Sequence, residues 1–142
     1  MRLVFADTCY WIALVNERDQ LHSVALQASK QLMNVHMFTT DEVLIEFLTF
    51  YRDKDEFLRT KAVEFVEAVK RNPNVTVVPQ TRSSFDAGLR LYRQRPDKQY
   101  SMVDCISMET MRQHNITDVL TEDHHFAQEG FNTLLSDENQ SE

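Results

Sequence analysis

The sequence predicts a mostly parallel α/β sandwich, a sheet of about five strands flanked by helices. Three observations carry this expectation. Short β-prone runs fall near residues 3–6, 36–39, 75–78, 117–120 and 131–135. Stretches with apolar residues at helical spacing separate most of them, which is the signature of βαβ units and a parallel sheet. Only two glycines and three prolines in 142 residues leave little room for linkers or disorder. One domain over residues 1–135 is therefore expected, with a frayed acidic tail over 136–142.

The elements follow in order. Leu3, Val4 and Phe5 make a short buried strand that ends at Ala6 and Asp7. Residues 8–16 carry Tyr10, Trp11, Ile12, Ala13, Leu14 and Val15 and read as a short helix, so Asp7 stands at a strand-to-helix junction. A second helix is expected over 22–34 and a brief strand over 35–39, with Thr40 and Asp41 as cap residues for a strongly apolar helix over 41–51. A charged break at 53–55 separates it from a helix over 56–71, so 41–71 reads as an α-hairpin inserted between strands two and three. The turn Asn72-Pro73-Asn74 leads into the β-branched strand 75–78, which Pro79 stops. Residues 81–94 form the next helix. A polar loop leads to Ser101, an N-cap candidate for a helix over 102–114. The run from Ile116 to Leu120 is a strand, followed by polar Thr121, Glu122 and Asp123.

Composition excludes several classes. With 15 Lys and Arg against 22 Asp and Glu, the net charge of −7 does not recruit nucleic acid by bulk electrostatics. A polyanionic substrate then needs local basic residues or bound cations. Two cysteines, Cys9 and Cys105, are too few for a disulfide framework and lack metal-ligand spacing. No apolar run is long enough to span a membrane, and residues 1–6 already read as a strand with no signal segment before them. A cytoplasmic protein with reduced thiols and no membrane partner is expected.

Four acids stand out by location: Asp7 after strand one, Glu46 inside an apolar helix, Asp104 at a helix start and Asp123 after strand four. In a doubly wound sheet strands one and four are neighbours where the strand order reverses, and ligands bind in the crevice beyond their carboxyl ends. Gathered carboxylates repel unless cations neutralise them, and oxygen-only ligands suit Mg²⁺ or Mn²⁺. Such ions serve phosphodiester cleavage. Taken singly each acid has a plainer reading: a helix-start cap, a solvated edge or a turn residue. Glu42 reads as an ordinary first-turn acid.

Together these residues resemble the motifs of PIN-domain proteins. The opening Asp7-Thr8-Cys9-Tyr10-Trp11-Ile12-Ala13-Leu14, the middle Thr39-Thr40-Asp41-Glu42-Val43-Leu44-Ile45-Glu46-Phe47-Leu48, the pair Ser101 and Asp104 spaced Ser-x-x-Asp, and the ending Thr121-x-Asp123-x-x-Phe126 occur in the family's order along essentially the whole chain. The resemblance implies a PIN-like three-layer sandwich and a metal-dependent endoribonuclease. It implies that Asp7, Glu46, Asp104 and Asp123 hold Mg²⁺ or Mn²⁺, with Thr8, Ser101 and Thr121 as supporting hydroxyls. VapC-type toxins of toxin–antitoxin pairs look similar in size, which implies an RNA substrate, an antitoxin protein and a homodimer. Alternatives are a binding module without nuclease activity and a housekeeping RNA-processing nuclease. Cys9 departs from the serine expected of many relatives and bears on support of the site, not on the metal set.

The remaining candidates read more plainly. Surrounding carboxylates disfavour a thiolate at Cys9 or Cys105. His124 and His125 lack a second metal-spaced pair and read as loop residues, with contact to substrate as the alternative. His22 reads as packing at its helix and Trp11 as core. Arg82, Arg90, Arg93, Arg95 and Lys98 form a solvated helix face or a phosphate-tracking patch. Phe47, Phe50, Tyr51 and Phe57 exceed what a two-helix hairpin needs for its own core, which suits a dimer or antitoxin groove. A phosphoacceptor receiver domain fails because strand three ends in Pro79 without an acceptor Asp, and a haloacid-type phosphatase fails at Cys9, where it needs a second Asp.

Overall fold

A computed structural model describes residues 1–136. The elements are β1 (Arg2–Ala6), α1 (Thr8–Val15), α2 (His22–Gln31), β2 (Val35–Thr40), α3 (Asp41–Phe50), α4 (Glu56–Arg71), β3 (Val75–Val78), α5 (Arg82–Gln94), α6 (Met102–Gln113), β4 (Asp118–Leu120), α7 (His124–Gln128) and β5 (Asn132–Thr133). The strands lie in the order β3-β2-β1-β4-β5 and every pairing is parallel. The strand order reverses between β1 and β4, as a doubly wound sheet requires.

β1 is the central strand, and Val4, Phe5 and Ala6 are wholly buried. A strand covered on both faces has no polar side, which explains its unbroken apolar run. Alternation along β2 shows the two covers. Thr39 faces α1, where Trp11 Nε1 donates to its Oγ1 at 3.2 Å, and the Thr39 hydroxyl donates to the Ala6 carbonyl at 2.9 Å. Phe38 points the other way, against His114 beyond the end of α6, with ring centres 4.8 Å apart. Right-handed crossovers account for this division, with α1–α4 covering one face and α5–α6 the other.

The α3–α4 hairpin joins the first of these layers through aromatic rings. Phe65 packs on Trp11 and Phe47, and Phe47 packs on Tyr51. Phe47 and Tyr51 are therefore core residues and not surplus apolar surface, whereas Phe57 is 67% exposed. Glu42 lies in the first turn of α3 as expected, but it is not exposed like an ordinary acid there. It is buried, and its Oε2 has no hydrogen-bond partner. Burial raises its carboxyl above the usual range.

The carboxyl-terminal region differs most from expectation. Residues 124–128 form the short helix α7, and β5 shrinks to Asn132–Thr133. Gly130, at φ +90°, turns the chain between them. Backbone pairing still continues past the strand, from Leu134 N to Val119 O at 2.9 Å and from Leu135 N to Thr121 O at 3.2 Å. The expected acidic tail lies, beyond Ser136, outside the described residues. Glu129, just after α7, pairs with Arg95 at 2.9 Å and Arg112 at 2.7 Å and accepts from the Tyr100 hydroxyl at 2.9 Å. Burial opposes its charge, but these donors outweigh that and hold its carboxyl at about 2. Arg95 is thus a structural cation and no part of an open basic patch.

Helices α5 and α6 touch closely at Gly88. A Cβ there would lie 2.5 Å from Ile106 Cγ1 and 3.2 Å from the Ile106 nitrogen. Helix propensity alone favours Gly88→Ala by about 1 kcal/mol. Overpacking a tight contact costs about 1–3 kcal/mol, and here the backbone of Ile106 stands behind its side chain. We expect Gly88→Ala to lower the melting temperature, as measured by thermal unfolding; an increase would show that α5 and α6 have room to separate.

Candidate metal centre

The pairing of Ala6 with Leu120 sets the site. Asp7 and Thr121 are the next residues on each strand, at the sheet's switch point. They open into a groove of about 710 Å³ lined by Asp7, Glu46, Asp104 and Asp123, together with Thr8, Cys9, Phe50, Arg52 and His124. All four acids singled out in the sequence therefore share one groove. Four places in the chain supply them: the β1–α1 junction, α3, the start of α6 and the start of α7.

Each acid has its own local support. Asp7 occupies the N-cap position of α1 but makes no side-chain cap bond. It accepts instead from the Thr121 hydroxyl at 2.9 Å. Glu46 accepts from the Thr8 hydroxyl at 2.5 Å, so the mid-helix carboxylate is aimed at the β1–α1 junction and does not snorkel to solvent. Asp104 and Ser101 form a reciprocal capping box: the Ser101 hydroxyl accepts from Asp104 N, and Asp104 Oδ2 accepts from Ser101 N. Asp123 caps α7 by accepting from His125 N at 2.9 Å. Asp104 and Asp123 thus cap helices, Asp7 and Glu46 make no cap bond, and all four line the groove.

Thr121 Oγ1 is the hub. Its single proton goes to Asp7, it accepts from Asp123 N at 3.1 Å, and Cys9 Sγ lies 3.2 Å away. With that proton committed, Cys9 must be the donor in the last contact. The thiol is held in place as a thiol, and burial and the Asp7 charge push it up to about 12. Cys9 accordingly reaches Thr121 as a serine hydroxyl would, in surroundings that disfavour a thiolate. His22 bonds the Ala13 carbonyl through Nδ1 at 2.7 Å and packs at its helix, away from the groove.

The electrostatics are those of an uncompensated acid cluster. Burial, then the charges of Asp104 and Glu46, push Asp7 up to about 7, against hydrogen bonds from the Thr8 backbone and Thr121. Burial, then Asp123 and Glu46, raise Asp104 as well. Arg52 is the one Lys or Arg lining the groove among the described residues. Carboxylates that raise one another's pKa while lying open to a groove fit a hard divalent cation, and all four would offer oxygen. The sequence reading left His125 in a loop, yet its Nδ1 lies 3.3 Å from Asp123 Oδ1 and 3.8 Å from Asp104 Oδ2. Its spacing carried no signal, because helix α7 alone turns that ring inward.

An open parallel sheet with an acid-lined groove at its switch point places the chain among the doubly wound α/β proteins, which bind ligands beyond the carboxyl ends of their strands. The PIN domain family model matches residues 4–132, and the chain belongs to that family. No curated protein sequence matches significantly. Among solved structures, VapC20 of Mycobacterium tuberculosis, a sarcin–ricin loop cleaving toxin, superposes with a TM-score of 0.81 at 24% identity, over 90% of this chain and 95% of that one. FitAcB of Neisseria gonorrhoeae gives a TM-score of 0.65 at 14% identity, over 92% and 95%. VapBC2 of Rickettsia felis, bound to a promoter DNA fragment, gives 0.64 at 11%, over 92% and 96%. The fold is that of VapC-type PIN proteins. No helix among the described residues is long and apolar enough to cross a membrane.

The Asp7 shift has a definite sign. An acid whose folded pKa is raised from 3.8 to about 7 binds more protons folded than unfolded across that window. Its contribution to stability is therefore present below about pH 4 and lost as pH rises to about 7. We expect the melting temperature of the metal-free protein to rise on going from pH 8 to pH 5, and Asp7→Asn to flatten that rise. A wild-type profile flat over this range would mean that Asp7 is not desolvated.

Proposed function

We propose that the protein is a metal-dependent endoribonuclease, the toxin of a toxin–antitoxin pair. The observation that carries this reading is the convergence of Asp7, Glu46, Asp104 and Asp123 on one groove, with two of them tied by hydroxyls and not by any capping need. Family membership and the VapC-type fold support it. The four carboxylates would hold Mg²⁺ or Mn²⁺, which when bound supplies Lewis-acid stabilisation for phosphodiester hydrolysis. The chain's own residues do the positioning. Thr121 fixes Asp7 and the backbone of Asp123, Thr8 fixes Glu46, and Ser101 fixes Asp104. Arg52 offers the groove a cation for the RNA backbone, which the overall charge of −7 otherwise repels.

A second groove, of about 780 Å³, shares Phe50 with the first and adds Tyr51, Phe57, Leu58, Lys54 and Lys61. Exposed Phe57 at its wall suits an apolar helix of a partner, and we assign this groove to the antitoxin. A partner seated there would border the acid groove through Phe50.

Two outcomes test these readings. Purified protein should cleave RNA with Mg²⁺ or Mn²⁺ and lose cleavage in EDTA, and Glu46→Gln should remain folded yet cleave at least about tenfold more slowly at limiting metal, since small displacements of reacting groups cost on the order of 10²-fold. Cleavage that survives exhaustive chelation, or wild-type rates in Glu46→Gln, would sink the metal mechanism. Co-expression with the product of a neighbouring small DNA-binding reading frame should yield a complex that Phe57→Asp disrupts, with cleavage by the free protein unaffected. A housekeeping nuclease would form no such complex.

A further inference from the structure

The four-carboxylate reading leaves one group beside two of the carboxylates unexplained. His125 Nδ1 is shielded from solvent and has no hydrogen-bond partner. A buried imidazole nitrogen without a partner costs free energy unless something outside the chain satisfies it. Its nearest neighbours are Asp123 Oδ1 at 3.3 Å and Asp104 Oδ2 at 3.8 Å, two oxygens of the proposed metal set. Both separations are shorter than about 4.2 Å, the span that one cation with bonds of about 2.1 Å can bridge. Asp123, His124 and His125 also form a group able to hold one metal ion, although the His124 side chain is 75% exposed.

The ring is not free to turn away. Tyr100 packs against it with centres 5.2 Å apart, and the Tyr100 hydroxyl is fixed by Glu129, itself held by Arg95 and Arg112. The backbone nitrogen of His125 is tied to Asp123 by the α7 cap. Side chain and main chain thus hold Nδ1 between two carboxylates, a degree of support that a solvated loop histidine does not need.

The geometry points to His125 as a nitrogen ligand that joins the carboxylates around the bound cation and shifts the site's preference from Mg²⁺ toward Mn²⁺. The inference rests on the metal-centre reading above. Mg²⁺ favours oxygen ligands and dehydrates reluctantly, whereas imidazole binds more strongly to transition metals. His125 would add to Mn²⁺ affinity and little to Mg²⁺ affinity.

The test is pulsed EPR on the whole chain, stripped with EDTA and reloaded with Mn²⁺ alone. Electron spin-echo modulation from a directly bonded imidazole nitrogen should appear in the wild type, persist in His124→Gln and vanish in His125→Phe, which keeps a ring against Tyr100. Mn²⁺ binding measured by titration should weaken about tenfold or more in His125→Phe, with Mg²⁺ binding nearly unchanged. If His125→Phe does not fold, the wild type and His124→Gln decide alone. Bound Mn²⁺ without nitrogen modulation in the wild type, or modulation lost in His124→Gln, overturns the role of His125 and leaves the carboxylate site standing. Failure of the wild type to bind Mn²⁺ at all overturns both.

Discussion

Ala6 of β1 lies in register with Leu120 of β4, and the candidate chemistry of the molecule begins one residue beyond that pair. The register places Asp7 beside Thr121 and, two residues further on, Asp123. Because the strand order reverses here, no neighbouring helix fills the crevice, and the starts of α6 and α7 can point into it. A slip of one residue in this pairing would turn Asp7 toward the opposite face and dissolve the cluster. The total burial of Val4, Phe5 and Ala6 makes such a slip expensive.

Holding acids together without a cation demands donors, and the chain meets that demand with small hydroxyls. Thr8 and Thr121 each give their one proton to a carboxylate, and Cys9 then donates to Thr121. These donors do not cancel the repulsion, since Asp7 and Asp104 remain raised. They orient the carboxylates while leaving them short of positive charge. Two of the arginines around α6 are used elsewhere, since Arg95 and Arg112 are bound to Glu129, and Arg52 is the one Lys or Arg lining the groove among the described residues. A charge deficit in an otherwise well-ordered pocket is the physical condition under which a divalent cation binds strongly.

Much of this was legible in the sequence because periodicity and punctuation agree. The unbroken apolar run of β1, the cap residues Thr40 and Ser101, and the amphipathic spacing of α4 each named their element. The four acids were findable because Glu46 breaks an apolar helix and Asp7 ends a buried strand. What stayed hidden depends on contacts between distant residues. Helix α7 spans only five residues, too few for periodicity to register, and is held by Asp123 at one end and by the Glu129 ion pairs just beyond the other. His125 reads as one of two adjacent polar residues until that helix turns it inward. Arg95 looked like part of a solvated basic face because its partner lies 34 positions away. Phe47 and Tyr51 looked surplus to a hairpin because their packing runs through Phe65 to Trp11 on another element.

The hydrogen bond from Thr121 to Asp7 joins residues 114 positions apart. During synthesis the chain emerges from its amino-terminal end, so Asp7, Glu46 and Asp104 are all made before the strand that gathers them. β4, Thr121 and Asp123 come later, and until they leave the ribosome β1 has no partner on that side. The acid pocket therefore cannot assemble before they are made. Whatever this groove does waits for the translation of Asp123, a delay set by topology.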